Sequence, residues 1–309
     1  MTRAQKSPIR VGVAGWDYRD WNGVVYPSPR RRGFDPVVFL ASYLDLIEIN
    51  STFYRPARPE VAERWAERVA DLDHFRFTAK LWRRFTHERS DAWTFDEVRR
   101  VRDGFDPLHD VGKLGAVLVQ FPWSFRNDEA NREWLDDLTH AFGKYPLVVE
   151  VRHESWNDPE FYHWLADHGV GFVNIDQPLF RRSIGPSARS TARIGYVRVH
   201  GRNYRDWWRK DAGYARYDYL YTPAELRPWA HRAREIARDP TTEVVNVVFN
   251  NHIRGQGVVN ALQFRKMVAG HPVPAPPSLF DEYAADLEGY ARPVAAEQAL
   301  PAAGRGAAA

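Results

Sequence analysis

The chain contains no cysteine, only two methionines, and just six lysines among its 43 basic residues. Without a thiol there is no disulfide framework, thiolate zinc site, iron–sulfur cluster or cysteine nucleophile, and any catalytic group is confined to carboxylate, His, Lys or hydroxyl chemistry. Long apolar runs are also missing: nothing approaches the roughly 20 residues of a bilayer span, and residues 1–8 have charge but no apolar core of a leader. The expectation is a cytoplasmic protein with no membrane contact. Net charge is small as well, 43 basic against 40 acidic residues, or +3. That near-balance is uneven along the chain. Residues 271–309 are rich in Pro and Ala and hold five acids against two Arg, so residues 1–270 carry +6. The expectation is a single domain over 1–270 and a disordered tail over 271–309.

Aromatic residues are abundant at 14%, including 12 Trp. A length of 309 residues is enough for one large α/β barrel or two ordinary domains. Eight short, β-branched apolar segments recur at 10–15, 46–50, 75–80, 116–121, 147–152, 170–176, 195–200 and 244–250. Helical patterns separate most of them, at 36–44, 59–70, 95–111, 128–142, 158–168, 223–238 and 256–269. Several open with Pro at the first helical position or with acidic residues, as helix N-termini prefer. Alternating strand and helix implies a parallel sheet, and eight repeats suit a TIM-like (β/α)8 barrel. The link between strands 6 and 7 has no helical pattern, so the barrel is expected to be irregular there.

Side chains two apart on a strand share a face. This pairs Glu48 with Asn50, Thr78 with Lys80, Leu118 with Gln120, Glu150 with Arg152, Asn174 with Asp176, Arg198 with His200 and Val248 with Asn250, while their neighbours are largely apolar. Barrel interiors are usually packed with Val, Ile and Leu, and chemistry gathers at the C-terminal ends of the strands. The reading is therefore a polar pocket at that mouth. Burying these groups requires partners, and the pairs expected are Glu48 with Lys80, and Glu150 with Arg152 or Arg198.

The motifs Gly15-Trp16, Glu48-Ile49-Asn50-Ser51-Thr52-Phe53-Tyr54-Arg55, Thr86-His87-Glu88-Arg89, Gln120-Phe121-Pro122, Glu150-Val151-Arg152, Arg198-Val199-His200-Gly201-Arg202 and Phe249-Asn250-Asn251 occur in that order. Together they resemble the YecE-like family (domain of unknown function 72) over residues from about 10 to 269. The resemblance implies a TIM-like barrel but no established reaction. It also implies a loose similarity to the barrels of endonuclease IV and xylose isomerase, which hold divalent metals with several His and carboxylates. Here only His200 lies on an inward strand position, so that metal site is not carried over.

Candidate catalytic residues are Glu48, Glu150 and His200. Carboxyls on strands 2 and 5 are expected roughly 6 to 10 Å apart across the mouth, a separation that suits general acid and base in a hydrolase. Candidate ligand-binding residues are Trp16, Asn50, Tyr54, Lys80, His87, Gln120, Arg152, Arg198, Arg202 and Asn250. The cations favour a small anionic, phosphate-bearing ligand, because Arg forms bidentate contacts with phosphate. Lys80, the lone lysine expected inside the barrel, also suits Schiff-base chemistry if burial lowers its pKa. A divalent metal on His87, His153, His200 and nearby carboxylates is a less favoured alternative, since no tight ligand spacing accompanies them. Residues 201–222 are basic and aromatic, with Arg202, Tyr204, Arg205, Trp207, Trp208, Arg209, Lys210, Tyr214, Arg216, Tyr217, Tyr219 and Tyr221. They read as a lid over an anion, as a nucleic-acid contact, or as an aromatic cover on the barrel itself. Trp16, Trp21, Trp82, Trp123 and Trp156 follow strands and are candidate stacking platforms. A non-catalytic binding or scaffold barrel is the remaining alternative.

Overall fold

Parallel strands buried on both faces need near-continuous apolar segments, and the eight recurring ones form them. The computed structural model describes residues 8–207, 209, 213 and 215–300. Its strands are β1 (Ile9–Ala14), β2 (Leu46–Ile49), β3 (Arg76–Lys80), β4 (Leu114–Gln120), β5 (Leu147–Glu150), β6 (Gly171–Asp176), β7 (Ile194–Val199) and β8 (Val244–Phe249). Each pairs in parallel with the next, and β8 closes on β1, giving the expected eight-stranded barrel. Most strands end a residue or two before the expected boundary, because Asn50, Arg152, His200 and Asn250 have already left the ladder.

The connecting helices are α1 (Pro36–Ala41), α2 (Pro59–Arg68), α3 (Phe95–Asp110), α4 (Glu129–Phe142), α5 (Pro159–Asp167), α6 (Pro223–Ile236) and α7 (Gln256–Ala269). Their starts follow from capping chemistry. Asp35, Asp128 and Asp158 accept from first-turn backbone amides, and Thr94 with Glu97 and Thr222 with Glu225 form complete capping boxes. Between β6 and β7 there is no helix, as expected. The link instead lies along the outer side of β6, where the Asn174 side chain binds the backbone of Arg189 and the Ser187 hydroxyl, and Thr191 Oγ1 accepts from Phe172 N.

Strand register decides which side chains enter the barrel. Partners such as Glu48 and Thr78, Gln120 and Glu150, and Arg198 and Val248 keep even-numbered residues inward around most of the ring. Strand β6 breaks this run. Val173 pairs with Tyr196 and Ile175 with Arg198, so Val173 and Ile175 face inward while Asn174 and Asp176 face the helices. The expected convergence of Asn174 and Asp176 on the mouth is therefore incorrect. Asp176 is buried under α6, where Tyr221 Oη donates to it at 2.6 Å and Trp229 Nε1 also donates.

Residues 273–294 are not a tail outside the fold. Val273–Ala275 (β9) pairs with Ala291–Pro293 (β10), and Phe280–Leu287 (α8) lies between them. Ala275, Leu279 and Leu287 are completely buried, Ser278 donates to Val25 O at 3.0 Å, and Tyr43 donates to Val294 O at 2.7 Å. An apolar residue every few positions suffices to dock this segment, and average Pro/Ala content hides that spacing. The division at residue 270 is consequently not an edge of the folded body, and +6 is not that body's charge. Residues 301–309 lie outside the described residues. Among the described residues no helix is long and apolar enough to cross a membrane.

Candidate functional site

Two residue layers meet near the C-terminal end of the barrel. The lower layer is a buried ion cluster centred on Arg198, which is completely enclosed. Its Nε and Nη2 donate to the two oxygens of Glu48 at 3.0 and 2.5 Å, and its Nη1 donates to Glu150 Oε2 at 2.8 Å. The Tyr196 hydroxyl donates to Glu48 at 3.1 Å, and Arg152 Nη2 donates to Glu150 Oε1 at 2.7 Å. His200 Nε2 stands 3.1 Å from the same Glu150 oxygen, and His200 Nδ1 stands 3.2 Å from the Asn250 amide. A neutral imidazole with its proton assigned to Nε2 satisfies both contacts.

Electrostatics make this cluster self-contained. Burial alone would raise the Glu150 carboxyl, yet the His200 contact and the two guanidinium charges outweigh it and hold Glu150 well below the usual carboxylate range. Burial pushes His200 down to about 3, against the pull of Glu150. The expected Glu150 pairs with Arg152 and Arg198 both form. The expected Glu48–Lys80 pair does not, because the Arg198 fork reaches across the barrel and occupies both Glu48 oxygens.

Above the cluster opens a pocket of about 490 Å³. Gln120, Arg152 and Asn250 form its floor and touch the cluster from above, with Gln120 Oε1 accepting from Arg198 at 3.3 Å. Four cationic side chains line it, Lys80, Arg83, Arg152 and Arg216, and none of the described lining residues is acidic. Its walls are aromatic: Tyr18, Phe53, Tyr54, Trp123, Trp207 and Tyr217. The Lys80 amine sits 4.7 Å from the centre of the Phe53 ring, and the Arg152 guanidinium 5.7 Å from that of Trp207. Burial, reinforced by Arg198, lowers the Lys80 amine to about 8 despite the carboxylates below. Burial and the Lys80 charge push His87 down to about 4, and the His87 Nδ1 lies 2.9 Å from Thr86 Oγ1.

The structure thus brings Asn50, Tyr54, Lys80, His87, Gln120, Arg152 and Asn250 together as pocket lining. Glu48, Glu150, His200 and Arg198 lie beneath it, enclosed and fully partnered. Arg202 is placed elsewhere, forked onto Asp176 at 2.8 and 2.6 Å. Trp16 packs edge-on against Trp65 instead of facing the mouth, and Trp21 and Trp156 are completely buried with their indole N–H groups on backbone carbonyls. Of the five candidate platforms only Trp123 reaches the pocket.

The aromatic segment after β7 is divided. Trp207, Arg216 and Tyr217 face the pocket, while Tyr219 and Tyr221 turn inward to Glu225 and Asp176. Trp208, Lys210 and Tyr214 lie outside the described residues. Sequence reasoning missed Tyr18, Phe53, Arg83, Pro122 and His252 in the lining. His252 was findable, since it continues the Val248–Asn250 alternation past the end of β8. Among the described residues no group of three His, Asp or Glu side chains is arranged to hold a metal ion.

Comparison with known proteins places this geometry in a family. The family profile "Protein of unknown function DUF72" matches residues 10–279. The UPF0759 protein YunF of Bacillus subtilis is 28% identical over 276 residues, covering 84% of this chain and 94% of YunF. A DUF72 family protein from Thermotoga maritima of known crystal structure is 32% identical, with a TM-score of 0.72 over 85% of this chain and 99% of its own. A second, from Enterococcus faecalis, shares the fold at 24% identity with a TM-score of 0.73, over 84% of this chain and 95% of its own.

Proposed function

This chain belongs to the DUF72 family, and on that premise we propose that the barrel mouth binds a small anionic, phosphate-bearing molecule and carries out acid/base chemistry on it. The observation that carries this reading is the sign of the pocket: four cations line it with no acidic counterpart among the described lining residues. Every carboxylate of the layer below is already committed to a guanidinium. Arg83 is paired with Glu88 at 2.8 Å and Arg152 with Glu150 at 2.7 Å, so the cationic excess of the cup rests on Lys80 and Arg216, and partial enclosure strengthens an anion's contacts with them relative to open water. A volume of about 490 Å³ suits a metabolite-sized ligand, and the aromatic walls suit its less polar face.

Lys80 and His87 are the better candidates for the acid/base groups. Glu48 and Glu150 are joined through one guanidinium and saturated with donors, so they do not flank an open site as a hydrolytic carboxylate pair would. Lys80 and His87 reach the pocket and titrate away from their ordinary values. The nucleic-acid reading rests on the same cations but loses Tyr219 and Tyr221 as stacking rings.

Isothermal titration with glycerol 3-phosphate, inorganic phosphate and glycerol tests the reading. The two phosphates are expected to bind in competition and glycerol to give no heat; equal indifference to all three would overturn it.

A further inference from the structure

We propose that the Lys80 amine is a nucleophile that forms an imine with the carbonyl carbon of a small anionic aldehyde or ketone held in the mouth pocket. The proposal rests on the anion-binding reading above, because the cations beside Lys80 are what would hold such a substrate in place.

Position is the first support. Lys80 is the last residue of β3 and points inward, at the level where barrel enzymes present reactive groups. It lines the pocket together with His87, Arg83 and Arg152. The second support is its lack of a charge partner. A structural lysine inside a barrel would be tied to an acid, and the two acids within electrostatic reach, Glu48 and Glu150, are instead tied to Arg198, Arg152 and His200. Among the described residues Lys80 forms no hydrogen bond or salt bridge, and its amine rests over the Phe53 ring. The third support is reactivity. With its pKa lowered to about 8, roughly a tenth of the amine is unprotonated at pH 7, some two hundred times more than for an ordinary lysine.

The step balances without a further reactant. The nitrogen lone pair forms the C–N bond as the carbonyl π pair moves onto oxygen. Two protons then pass from nitrogen to that oxygen, which departs as water and leaves C=N. A lysine that starts as an ammonium first gives a proton to His87 or to water, and the return of that proton to the imine nitrogen makes the iminium. His87, neutral at pH 7, is placed on the same wall to carry protons between nitrogen and oxygen. Arg216, with the free N–H groups of Arg152 beside it, takes the substrate's phosphate or carboxylate. The iminium withdraws electrons from the neighbouring bond, so the substrate class is a carbonyl compound activated at the adjacent C–H or C–C bond.

Reductive trapping tests this on the full chain. The protein is incubated with dihydroxyacetone phosphate, or in a second arm with pyruvate, in the presence of cyanoborohydride, and adducts are located by peptide mass mapping. Lys6, Lys80, Lys113, Lys144, Lys210 and Lys266 are the complete set of lysines, so every site is distinguishable. The expected result is an adduct on Lys80 forming at least tenfold faster than on the exposed Lys144, in the arm whose anion fits, and none at that position in Lys80→Arg. Glycerol 3-phosphate, which has no carbonyl, is titrated in parallel. If it binds while Lys80 is labelled no faster than Lys144 in both arms, the imine is overturned and the anion pocket stands. If it fails to bind and Lys80 is not labelled, both readings fall.

Discussion

The two layers at the barrel mouth both carry cations, the lower one on strand residues and the upper one on strand ends and the loops beyond them, and they have opposite character. In the lower layer Arg198 neutralises Glu48 and Glu150, and His200 is held neutral. In the upper layer Lys80 and Arg216 face open space beside Arg83, which Glu88 holds at 2.8 Å, and Arg152, the cation shared with the cluster. The lower layer's desolvation is offset internally, so it acts as a structural charge lock. The upper layer keeps an excess of positive charge at Lys80 and Arg216, which is a binding property. Depth, together with the presence of carboxylates in the lower layer alone, separates the two roles.

The strongest way to break this contrast is to remove the centre of the lock. Arg198→Met strands two buried carboxylates, and a loss of about 3–5 kcal/mol is expected in urea unfolding. Glu48→Gln added to Arg198→Met should recover part of that loss; if the double variant is no more stable than the single, the lock is misassigned. Lys80→Met should do the reverse. Unfolding free energy at pH 7 is expected to be no lower than the parent's, because the cost of burying the ammonium is removed, while affinity for a phosphate ester falls about 10- to 100-fold, the value of one charge-assisted contact.

Titration sharpens the comparison with smaller effects. His200 at about 3 and His87 and His252 at about 4 are depressed from the ordinary 6.5. Below pH 6.5 the unfolded chain takes up protons that the fold refuses, so stability should decline as pH falls from 6.5 toward 4 and be unaffected by these groups above 6.5. Urea midpoints at pH 7.5 and 5.0 measure this, and His200→Gln should flatten the decline. Lys80 works on the alkaline side. Its amine releases a proton near pH 8 in the fold but near 10.4 when unfolded, so stability should rise across that window, and Lys80→Met should abolish the rise. The smallest effect is expected from Tyr54→Ala. This exposed wall residue should change phosphate-ester affinity by only a few fold in titration calorimetry.

Much of this was legible in the sequence because the governing physics is local. The alternation of β-branched runs with capped helices led to all eight strands, and Asp35, Thr94, Asp128, Asp158 and Thr222 mark helix starts within a residue. Parity located Lys80, Gln120, Arg152 and Asn250 at the mouth. It failed at β6, where alternation says which residues share a face but not which face turns inward. The partners that draw Asp176 outward, Arg202, Tyr221 and Trp229, lie far along the chain. The same long-range limit hid the Arg198–Glu48 fork, and with it the fact that Lys80 has no carboxylate of its own. Loop residues Tyr18 and Arg83 carry no periodic signal and were missed for that reason.

The most direct test of the account is a paired measurement on Lys80→Met: phosphate-ester affinity by titration calorimetry and unfolding free energy in urea, on the same preparation at pH 7. The account predicts affinity reduced at least tenfold with stability equal to or above that of the parent. Parental affinity in this variant would contradict it, and so would a collapse of stability like that expected for Arg198→Met.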